Sequence, residues 1–318
     1  MIYKKFKDLE LSALGLGTMR FPTVDGDDSK IDEAATAEMF EYAIQNGINY
    51  FDTAWGYHRG QSELVTGKML SKYPRDKFYL ASKFPGYDLK NMENIEEIFE
   101  RQLEKCRVEY FDFYLVHNVC EKNIDSYTDP KYGLYEYLLR QKEDGRIKHL
   151  GFSVHGSYDV TKRFLSVYGD AMEFCQIQLN WIDYDFQSAK DKLTLLSEWG
   201  IPVWVMEPLR GGKLAVLDKK YEDRLRALKP EMKVPEWSFR YLQSFEQVKV
   251  TLSGMSNMDQ LKENIRTFEK RRAADRKRKA DTLLYRTRYG GVRAVYRLPL
   301  LYGEMPDAAR YSGAYKAL

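Results

Sequence analysis

The feature that most constrains the fold of this chain is a series of eight short runs of apolar and β-branched residues. Longer amphipathic stretches separate these runs. The runs occupy residues 14–19, 48–54, 78–83, 111–117, 148–154, 174–180, 201–207 and 249–254. The stretches between them, such as 33–46, 94–108 and 134–144, have the spacing of helices with one apolar face, and 258–268 follows the last run. Strands alternating with helices predict βαβ units and a parallel sheet. Eight such units predict a closed (β/α)8 barrel, the TIM barrel, more than an open sheet.

Length and charge limit the class of protein. The 318 residues exceed one average domain, but single α/β barrels reach this size. The net charge of +3, from 50 basic against 47 acidic residues, gives no general attraction to nucleic acid or acidic membranes. Composition shifts near residue 266, where 266–297 becomes rich in Arg and Lys. We predict a barrel over 1–268 and a basic, cysteine-free extension over 269–318, its charge forming a solvated helix face with no nucleic-acid partner.

Cysteine usage and hydropathy indicate the compartment. Cys106, Cys120 and Cys175 are scattered and form neither a disulfide framework nor a Cys-x-x-Cys site. The first residues, MIYKKFKDLELS, have no apolar run behind their lysines, so we expect no signal peptide. No stretch approaches the roughly 20 apolar residues that span a bilayer. We expect a cytoplasmic protein without a membrane partner, and we assign no residue to a metal site.

Polar residues stand at or just past the ends of three successive predicted strands. Asp52 and Tyr57 follow the second run, Lys83 closes the third and His117 closes the fourth. In a parallel barrel the C-terminal strand ends form one face, and that face carries the chemistry. We therefore expect the four side chains to converge on one pocket. Taken singly, they have ordinary structural interpretations as a helix cap, a loop tyrosine, a buried Lys–Asp pair and a core histidine.

The four residue types suit one kind of reaction. A tyrosine has a reference pKa near 10, and a neighbouring lysine cation lowers that pKa by favouring the phenolate. An aspartate beside the lysine keeps it charged and in place, and a histidine can orient a substrate oxygen. Together they predict a proton donor to a carbonyl that is being reduced.

At these residues the chain resembles the aldo-keto reductases. The family has an Asp, a Tyr five residues later, a Lys at the end of the next strand and a His at the end of the one after, and all four positions match. The resemblance covers about residues 1–268 and includes GLGTMRFP (15–22), DTAWGYHRGQSE (52–63), SKFPG (82–86), YLVHN (114–118), GFSVHG (151–156), QLNW (178–181), MEPLRGG (206–212) and SGMSN (253–257).

This resemblance implies an NAD(P)H-dependent oxidoreductase that transfers hydride from the nicotinamide C4 to an aldehyde or ketone carbon. It implies that Tyr57 protonates the developing alkoxide, that Lys83 and Asp52 tune Tyr57, and that His117 positions the oxygen. It also implies a small hairpin within residues 2–12 that closes the barrel bottom. The alternative is a catalytically weak nicotinamide-binding regulatory protein of the same fold.

The phosphates of the cofactor are expected at the last strand. No Gly-x-Gly-x-x-Gly fingerprint follows the first strand, so a Rossmann site is not expected. A barrel binds phosphates with its last strands and adjacent helix N-termini, and 253–264 has small residues before a helix that begins near Asn257. Ser256 or Asn257 equally suits a plain helix cap, because caps and anions use the same free N–H groups. With the resemblance, the expected cofactor-binding residues are Gly17, Thr18, Met19, Asp52, Ser153, Gln178, Glu207, Pro208, Leu209, Gly212, Lys213, Ser253, Gly254, Met255, Ser256, Gln260, Glu263 and Asn264.

Cofactor choice depends on groups able to bind a 2′-phosphate. Only Lys262 is basic close to the last strand, but branches of the family with this kind of sequence use Ser, Asn and Gln contacts. We therefore expect NADPH, with NADH as the alternative. Trp55 and Trp181 lie just past strand ends and are expected to line an apolar pocket for a small-molecule carbonyl substrate.

The C-terminal segment departs from the branch that the chain most resembles. Those bacterial and archaeal members carry a ferredoxin-like segment whose Cys-x-x-Cys-x-x-Cys-x-x-x-Cys-Pro run ligates a four-iron cluster. The corresponding segment here, 285–299, has no cysteine. We therefore expect no iron–sulfur cluster.

Overall fold

The structure is a computed structural model that describes residues 1–269. Apart from Glu269, the predicted extension 269–318 lies outside the described residues. The basic helix face and the cysteine-free segment 285–299 therefore stay predictions, and so does the domain boundary after residue 268.

Eight parallel strands close into a barrel, and an antiparallel hairpin precedes them. In chain order the strands are β1 (Tyr3–Phe6), β2 (Leu9–Ser12), β3 (Leu14–Gly17), β4 (Tyr50–Asp52), β5 (Tyr79–Phe84), β6 (Phe111–Val119), β7 (Ile147–Val154), β8 (Phe174–Gln178), β9 (Val203–Met206) and β10 (Val248–Gly254). The barrel strands β3 to β10 are neighbours in sequence order, and β10 pairs with β3 to close the ring. The predicted (β/α)8 fold class is confirmed.

Helices surround the barrel and connect its strands. In chain order they are α1 (Glu33–Gln45), α2 (Ser62–Leu70), α3 (Ile95–Cys106), α4 (Ile124–Tyr127), α5 (Leu134–Glu143), α6 (Tyr158–Tyr168), α7 (Asp183–Phe186), α8 (Ala189–Glu198), α9 (Lys219–Leu228), α10 (Val234–Gln243) and α11 (Met258–Thr267). Gly47, Gly145 and Gly200 follow α1, α5 and α8 with φ of 86°, 74° and 68°. This left-handed conformation ends a helix at little cost only when the residue is glycine.

The inside of the barrel is apolar at one end and polar at the other. Side chains alternate along a strand, so residues two apart point the same way. On β6, Phe113 and Leu115 belong to the interior cluster, and the next residue of that series is His117. On β4, the interior Tyr50 is followed two residues later by Asp52. The interior-facing positions of these two strands thus change from apolar to polar at their C-terminal ends.

The β1–β2 hairpin covers the apolar end. Phe6 and Leu11 belong to the same interior cluster as the barrel residues. The Phe6 ring lies 5.1 Å from that of Trp204, edge to face, and 5.8 Å from that of Phe113. The hairpin implied by the family resemblance is therefore present and closes this end. The polar end, which the hairpin does not cover, is called here the mouth of the barrel.

Among residues 1–269, no helix is both long and apolar enough to cross a membrane. The same residues contain no group of three or more His, Cys, Asp or Glu side chains placed to hold a metal ion. Cys106 and Cys175 are buried free thiols, and Cys120 is partly buried.

Candidate active site

Lys83, near the end of β5, is the centre of the polar end of the barrel. Its Nζ donates to Oδ1 of Asp52 at 2.6 Å, to the main-chain oxygen of Thr53 at 2.7 Å and to Oη of Tyr57 at 3.3 Å. Lys83 and Asp52 are buried, so little water screens the pair. Three of the four predicted residues therefore form one hydrogen-bonded group.

His117 completes this group from the next strand. Its ring lies edge-on to that of Tyr57, with centroids 6.0 Å apart. Its main-chain oxygen accepts a hydrogen bond from Oη of Tyr127 at 2.6 Å, which fixes the end of β6. Nδ1 of His117 is buried without a hydrogen-bond partner among the described residues. Burial, and then the charge of Lys83, hold the pKa of His117 well below its usual value, so the ring is neutral.

The turn that carries Tyr57 is fixed by the residue after it. His58 is buried with φ of 50°, a left-handed backbone, and its ring stacks on Phe21. Nε2 of His58 accepts the backbone N–H of Phe21 at 3.0 Å, so Nδ1 carries the proton and donates to the main-chain oxygen of Asp28 at 3.0 Å. His58 therefore ties the β3–α1 connection to the chain beside Tyr57.

The pKa of Tyr57 departs from the sequence-based expectation. Burial raises this pKa, and the opposing effect of the Lys83 cation, although present as expected, is smaller. The predicted net lowering of the tyrosine pKa is therefore wrong. Removal of the phenolate from water destabilises it by more free energy than the attraction of one nearby cation supplies. For Lys83, burial is the largest influence and would lower the pKa, but Asp52 and Tyr57 together raise the pKa above its usual value, so the ammonium stays charged.

A buried polar network behind Lys83 is a feature that sequence reasoning missed. Nε2 of Gln102 donates to the main-chain oxygen of Lys83 at 3.0 Å and to Oε1 of Glu63 at 2.6 Å. The same Glu63 oxygen accepts from Oγ of Ser82 at 2.7 Å, and Oη of Tyr114 donates to the Gln102 side chain. The alternation that marks Ser82 and Tyr114 as facing away from the barrel interior was the available signal.

The two predicted pocket tryptophans have different surroundings. The ammonium of Lys105 lies 3.8 Å from the ring centroid of Trp55 and 3.3 Å from Oε2 of Glu63, so a cation–π contact joins Trp55 to the buried network. Trp181 is buried, and its Nε1 has no hydrogen-bond partner among the described residues. A role for both in substrate binding stays a prediction.

Three predicted cofactor residues lie at the end of β3. Gly17 pairs with Gly254 on one side and with Asp52 on the other, so it stands between the last strand and the aspartate. Thr18 is buried and its hydroxyl shares a 2.6 Å hydrogen bond with that of Ser62, while Met19 is exposed.

The ends of β7 and β8 place two further predicted residues. The Oγ of Ser153 accepts the backbone N–H of Asn118 at 2.8 Å. Nε2 of Gln178 donates to Oε1 of Glu207 at 2.7 Å. The second carboxylate oxygen of Glu207 is buried without a partner among the described residues. His155, just past β7, has its pKa lowered to about 4 by burial and then by Lys192.

Residues 207–213, called here the β9 loop, follow β9 in a tightly turned conformation. Left-handed φ values occur at Glu207 (55°), Arg210 (47°), Gly211 (64°) and Gly212 (92°). The backbone N–H of Gly212 donates to the oxygen of Leu209 at 3.0 Å. All predicted cofactor residues of this region lie in this loop, namely Glu207, Pro208, Leu209, Gly212 and Lys213.

The start of α11 is capped by its own side chains. Oδ1 of Asn257 accepts the backbone N–H of Gln260 at 2.9 Å, and Oε1 of Gln260 accepts that of Ser256 at 2.9 Å. The capping interpretation therefore holds, and two N–H groups expected to face a phosphate have partners within the chain.

The remaining predicted residues of the last strand and helix support one another. Nδ2 of Asn264 donates to Oγ of Ser253 at 3.2 Å, and both side chains are buried, as is Met255. Glu263 forms an ion pair with Lys233 at the start of α10. Gly254, Ser256 and Gln260 are exposed, so a ligand can reach these three residues from outside.

Arg20 is a cation that sequence reasoning missed. Its side chain lies across Gly254, where a Cβ would come within 2.7 Å of Cγ, and its Nη2 points toward Gly211, 3.9 Å from the corresponding position there. Arg20 is exposed and has no hydrogen bond or ion pair with any other described residue. Its position in GLGTMRFP, directly after three predicted cofactor residues, was the available signal.

Comparison with known families and proteins supplies independent findings. A family model described as the aldo/keto reductase family matches residues 13–280. The chain is 29% identical over 211 residues to probable aldo-keto reductase 1 of Glycine max, a match that covers 64% of this chain and 57% of that protein. It is 26% identical over 304 residues to the uncharacterized oxidoreductase YqkF of Bacillus subtilis (strain 168), which covers 86% of this chain and 92% of the relative.

Two more comparisons concern a named activity and a solved fold. The chain is 26% identical over 227 residues to the NADH-specific methylglyoxal reductase of Escherichia coli (strain K12), covering 65% of this chain and 66% of that enzyme. The holo form of aldo-keto reductase AKR11C1 from Bacillus halodurans is 24% identical, with a TM-score of 0.67 over 85% of this chain and 92% of its own. At that identity the match supports the fold alone.

Proposed function

The chain belongs to the aldo/keto reductase family and is an oxidoreductase by that membership, and from this premise we propose that it reduces aldehyde or ketone carbonyls to alcohols with Tyr57 as the general acid. The observation that carries the proposal is the contact of Lys83 with both Asp52 and Tyr57, next to His117, at the mouth of the barrel. The four side chains come from neighbouring strand ends, where barrel enzymes place their chemistry.

The residues beside this centre fit a nicotinamide dinucleotide. Gly254 leaves space that a side chain would fill, and Arg20 offers an unpaired cation beside it. Glu207 presents a buried carboxylate oxygen without a partner among the described residues, suited to an N–H or O–H donor of a ligand. When bound, the cofactor supplies the hydride that reduces the carbonyl carbon.

Tyr57 supplies the proton in this proposal. Its raised pKa keeps the phenol protonated at neutral pH, so it can donate to the substrate oxygen as negative charge develops there. The Lys83 ammonium, 3.3 Å from the phenol oxygen, stabilises the phenolate left after proton transfer. Asp52 holds that ammonium in place.

His117 orients the substrate oxygen in this proposal. Its low pKa keeps the imidazole neutral, with one N–H to donate, and adds no second cation beside Lys83. The hydrogen bond from Tyr127 to its main-chain oxygen limits movement of the strand end. A carbonyl oxygen held by both His117 and Tyr57 therefore has one defined position.

We propose NADPH as the preferred cofactor and NADH as the alternative. The polar side chains at 256–260, together with Arg20 and Lys262, provide contacts for an additional phosphate. The relative described as NADH-specific supports keeping NADH open. The cytoplasm is the proposed compartment, on the basis of the sequence alone.

A fluorescence titration with NADPH and NADH, followed by a panel of aldehydes and dicarbonyls, tests the proposal. We expect saturable binding and oxidation of the bound cofactor by at least one carbonyl. Binding without oxidation of either cofactor by any carbonyl would favour the regulatory alternative. Absence of binding to both nucleotides would contradict the cofactor assignment itself.

A further inference from the structure

Tyr87 stands on the turn that follows β5 and touches both sides of the proposed reaction centre. Its ring lies edge-on to that of His117, with centroids 5.2 Å apart and planes at 84°. Its hydroxyl approaches Gly56, the residue before Tyr57, so closely that a Cβ there would lie 2.5 Å from Oη. The side chain is still 38% exposed. One part of Tyr87 therefore packs on the centre while another part faces the mouth.

The turn that carries Tyr87 is tightly packed. A Cβ on the preceding Gly86 would lie 2.4 Å from the ring of Tyr127 and 2.8 Å from Sδ of Met92. The hydroxyl of the same Tyr127 donates to the main-chain oxygen of His117. Tyr127 thus joins the Tyr87 turn to the strand end of His117, so Tyr87 has a fixed position relative to the histidine.

The packing of Tyr87, and not the backbone conformation of residue 56, accounts for the glycine at this position. Gly56 has φ of −89° and ψ of −6°, a conformation that other residues also adopt. The nearest atom to a Cβ at this position is Oη of Tyr87, and the next is Cζ at 3.7 Å, an ordinary contact. The absence of a side chain at Gly56 therefore gives the tyrosine hydroxyl its space.

We propose that Tyr87 is the substrate-facing wall of this site and that it selects carbonyl compounds whose carbonyl is attached to a flat aromatic or conjugated group. This inference rests on the proposed reductase function. A carbonyl oxygen held between Tyr57 and His117 places its substituent next to the ring that packs on His117, which is Tyr87. A flat substituent can pack along that ring, whereas a puckered ring of the same size cannot approach it equally closely.

The expected gain is modest and measurable. A contact between two aromatic rings stabilises a complex by more than the burial of their apolar surface alone. The additional stabilisation corresponds to roughly a three- to tenfold difference in kcat/KM. Burial, and then the nearby Tyr57, raise the pKa of Tyr87 to about 12, so its phenol stays neutral and adds no charge to the wall. The hydroxyl makes no hydrogen bond with another described residue, which leaves the ring as the selecting element.

The first test compares benzaldehyde with cyclohexanecarbaldehyde, which differ in flatness at equal carbon number. The ratio of their kcat/KM values is measured for the wild type, Tyr87→Ala and Tyr87→Phe, so intrinsic reactivity cancels between variants. We expect Tyr87→Ala to lower the aromatic preference about three- to tenfold, and Tyr87→Phe to keep it, because the ring remains. Leu89→Ala, an exposed change on the same segment, controls for loosening of the turn.

Three results would overturn the inference. An unchanged ratio in Tyr87→Ala would remove the ring from substrate selection. An equal loss in Tyr87→Phe would assign the effect to the hydroxyl, and an equal loss in Leu89→Ala would assign it to the fold of the turn. A wild type that binds nucleotide but reduces neither this pair nor any other carbonyl would instead contradict the proposed function.

The second test uses the contact between Gly56 and Tyr87. Gly56→Ala places a methyl group against Oη and displaces the ring, so we expect the aromatic preference to fall about as far as in Tyr87→Ala. Adding Tyr87→Phe removes Oη and leaves an ordinary contact, so the double variant is expected to recover the wild-type ratio. Failure of Tyr87→Phe to restore the ratio in the Gly56→Ala background would contradict the proposed packing, whatever the stability of the single variants.

Discussion

The two sides of the barrel mouth hold their cations in different ways. On the β4–β6 side, the Lys83 ammonium donates to three oxygens of the chain itself. On the side formed by β3, β9 and β10, the aliphatic part of Arg20 lies over Gly254, and its guanidinium, directed toward Gly211, bonds to no other described residue. A cation with three internal partners is already positioned for chemistry, while an unpaired cation suits the binding of an external anion.

The backbone conformation also differs between the two sides of the mouth. Lys83 lies in a regular strand, where the alternation of side chains sets its direction. His117 lies where the register of β6 shifts between Val116 and Val119, and the next residue, Asn118, has φ of 57°. The β9 loop instead contains four left-handed residues in its first six positions. A strand backbone holds the ammonium of Lys83 in place, whereas glycine-containing turns let a backbone approach a ligand closely.

If the β4–β6 side alone supplies the proton, Tyr57→Phe has the largest effect. We expect turnover to fall by about 10³-fold, because general acid catalysis contributes roughly 10²–10⁴-fold. Nucleotide affinity should remain within a factor of about two. Steady-state kinetics and a fluorescence titration measure the two quantities. Tyr110→Phe, which removes a hydroxyl at the other end of β6, serves as the control, and loss of binding with intact turnover would reverse the assigned roles.

Breaking the buried pair affects stability as well as turnover. Lys83→Met leaves the Asp52 carboxylate without its partner, which costs about 3–5 kcal/mol when a buried pair is broken. We expect a lower free energy of unfolding in urea and a loss of turnover of about 10²-fold or more. Asp52→Asn added to Lys83→Met should recover part of the stability but not the activity. Recovery of both would show that the pair is only structural.

The other side of the mouth is tested by Arg20→Gln. If Arg20 binds the pyrophosphate, the affinities for NADPH and NADH should fall equally, by about tenfold, as for loss of one charge-assisted hydrogen bond. Turnover at saturating cofactor should not change. A loss confined to NADPH would place the 2′-phosphate at Arg20, and no loss for either nucleotide would contradict the cofactor role. Arg101→Gln, which changes an exposed arginine on α3 that pairs with Glu97, is the matched control.

The histidines at the mouth are expected to make the stability of the protein depend on pH. The folded state holds the pKa of His117 well below its usual value and that of His155 at about 4, whereas both titrate near 6.5 when unfolded. The unfolded chain therefore binds more protons below pH 6.5, so stability is fully present above that pH and decreases as the pH falls. Each histidine contributes at most about 1.4 kcal/mol per pH unit.

Urea unfolding at pH 7, 6 and 5 measures this slope. His155→Gln should reduce it, because one of the two linked groups is removed. A slope that is unchanged in His155→Gln would mean that His155 is not held neutral by the fold. His149→Gln, at the opposite end of β7, provides a comparison with a histidine that pairs with Glu173.

The fold and the clustering of Asp52, Tyr57, Lys83 and His117 were predictable, because both follow from periodicity. Once the runs at 78–83 and 111–117 are taken as parallel strands, Lys83 and His117 must lie at the same end of the barrel. The sign of the Tyr57 pKa shift was not predictable. It depends on how much water the tertiary structure removes from the phenol, and pairwise charge reasoning contains no such quantity.

The remaining features of the site were not predictable, because they depend on packing between residues far apart in the chain. Arg20 lies beside Gly254 and Gly211 only because the closed barrel brings β10 back to β3. The contact of Tyr87 with Gly56 joins residues of two different strand-end segments, and neither has a local pattern that indicates the other. The network of Glu63, Gln102 and Ser82 is likewise spread over α2, α3 and β5.

The sequence by itself determined the repeated strand–helix order, the barrel class and the strand-end positions of the four candidate side chains, because these depend on the local spacing of apolar and polar residues. Only the tertiary structure decided which groups are deprived of water, which cation stays unpaired and which ring covers His117. These properties depend on distances between residues far apart in the chain, and only the closure of the barrel sets those distances.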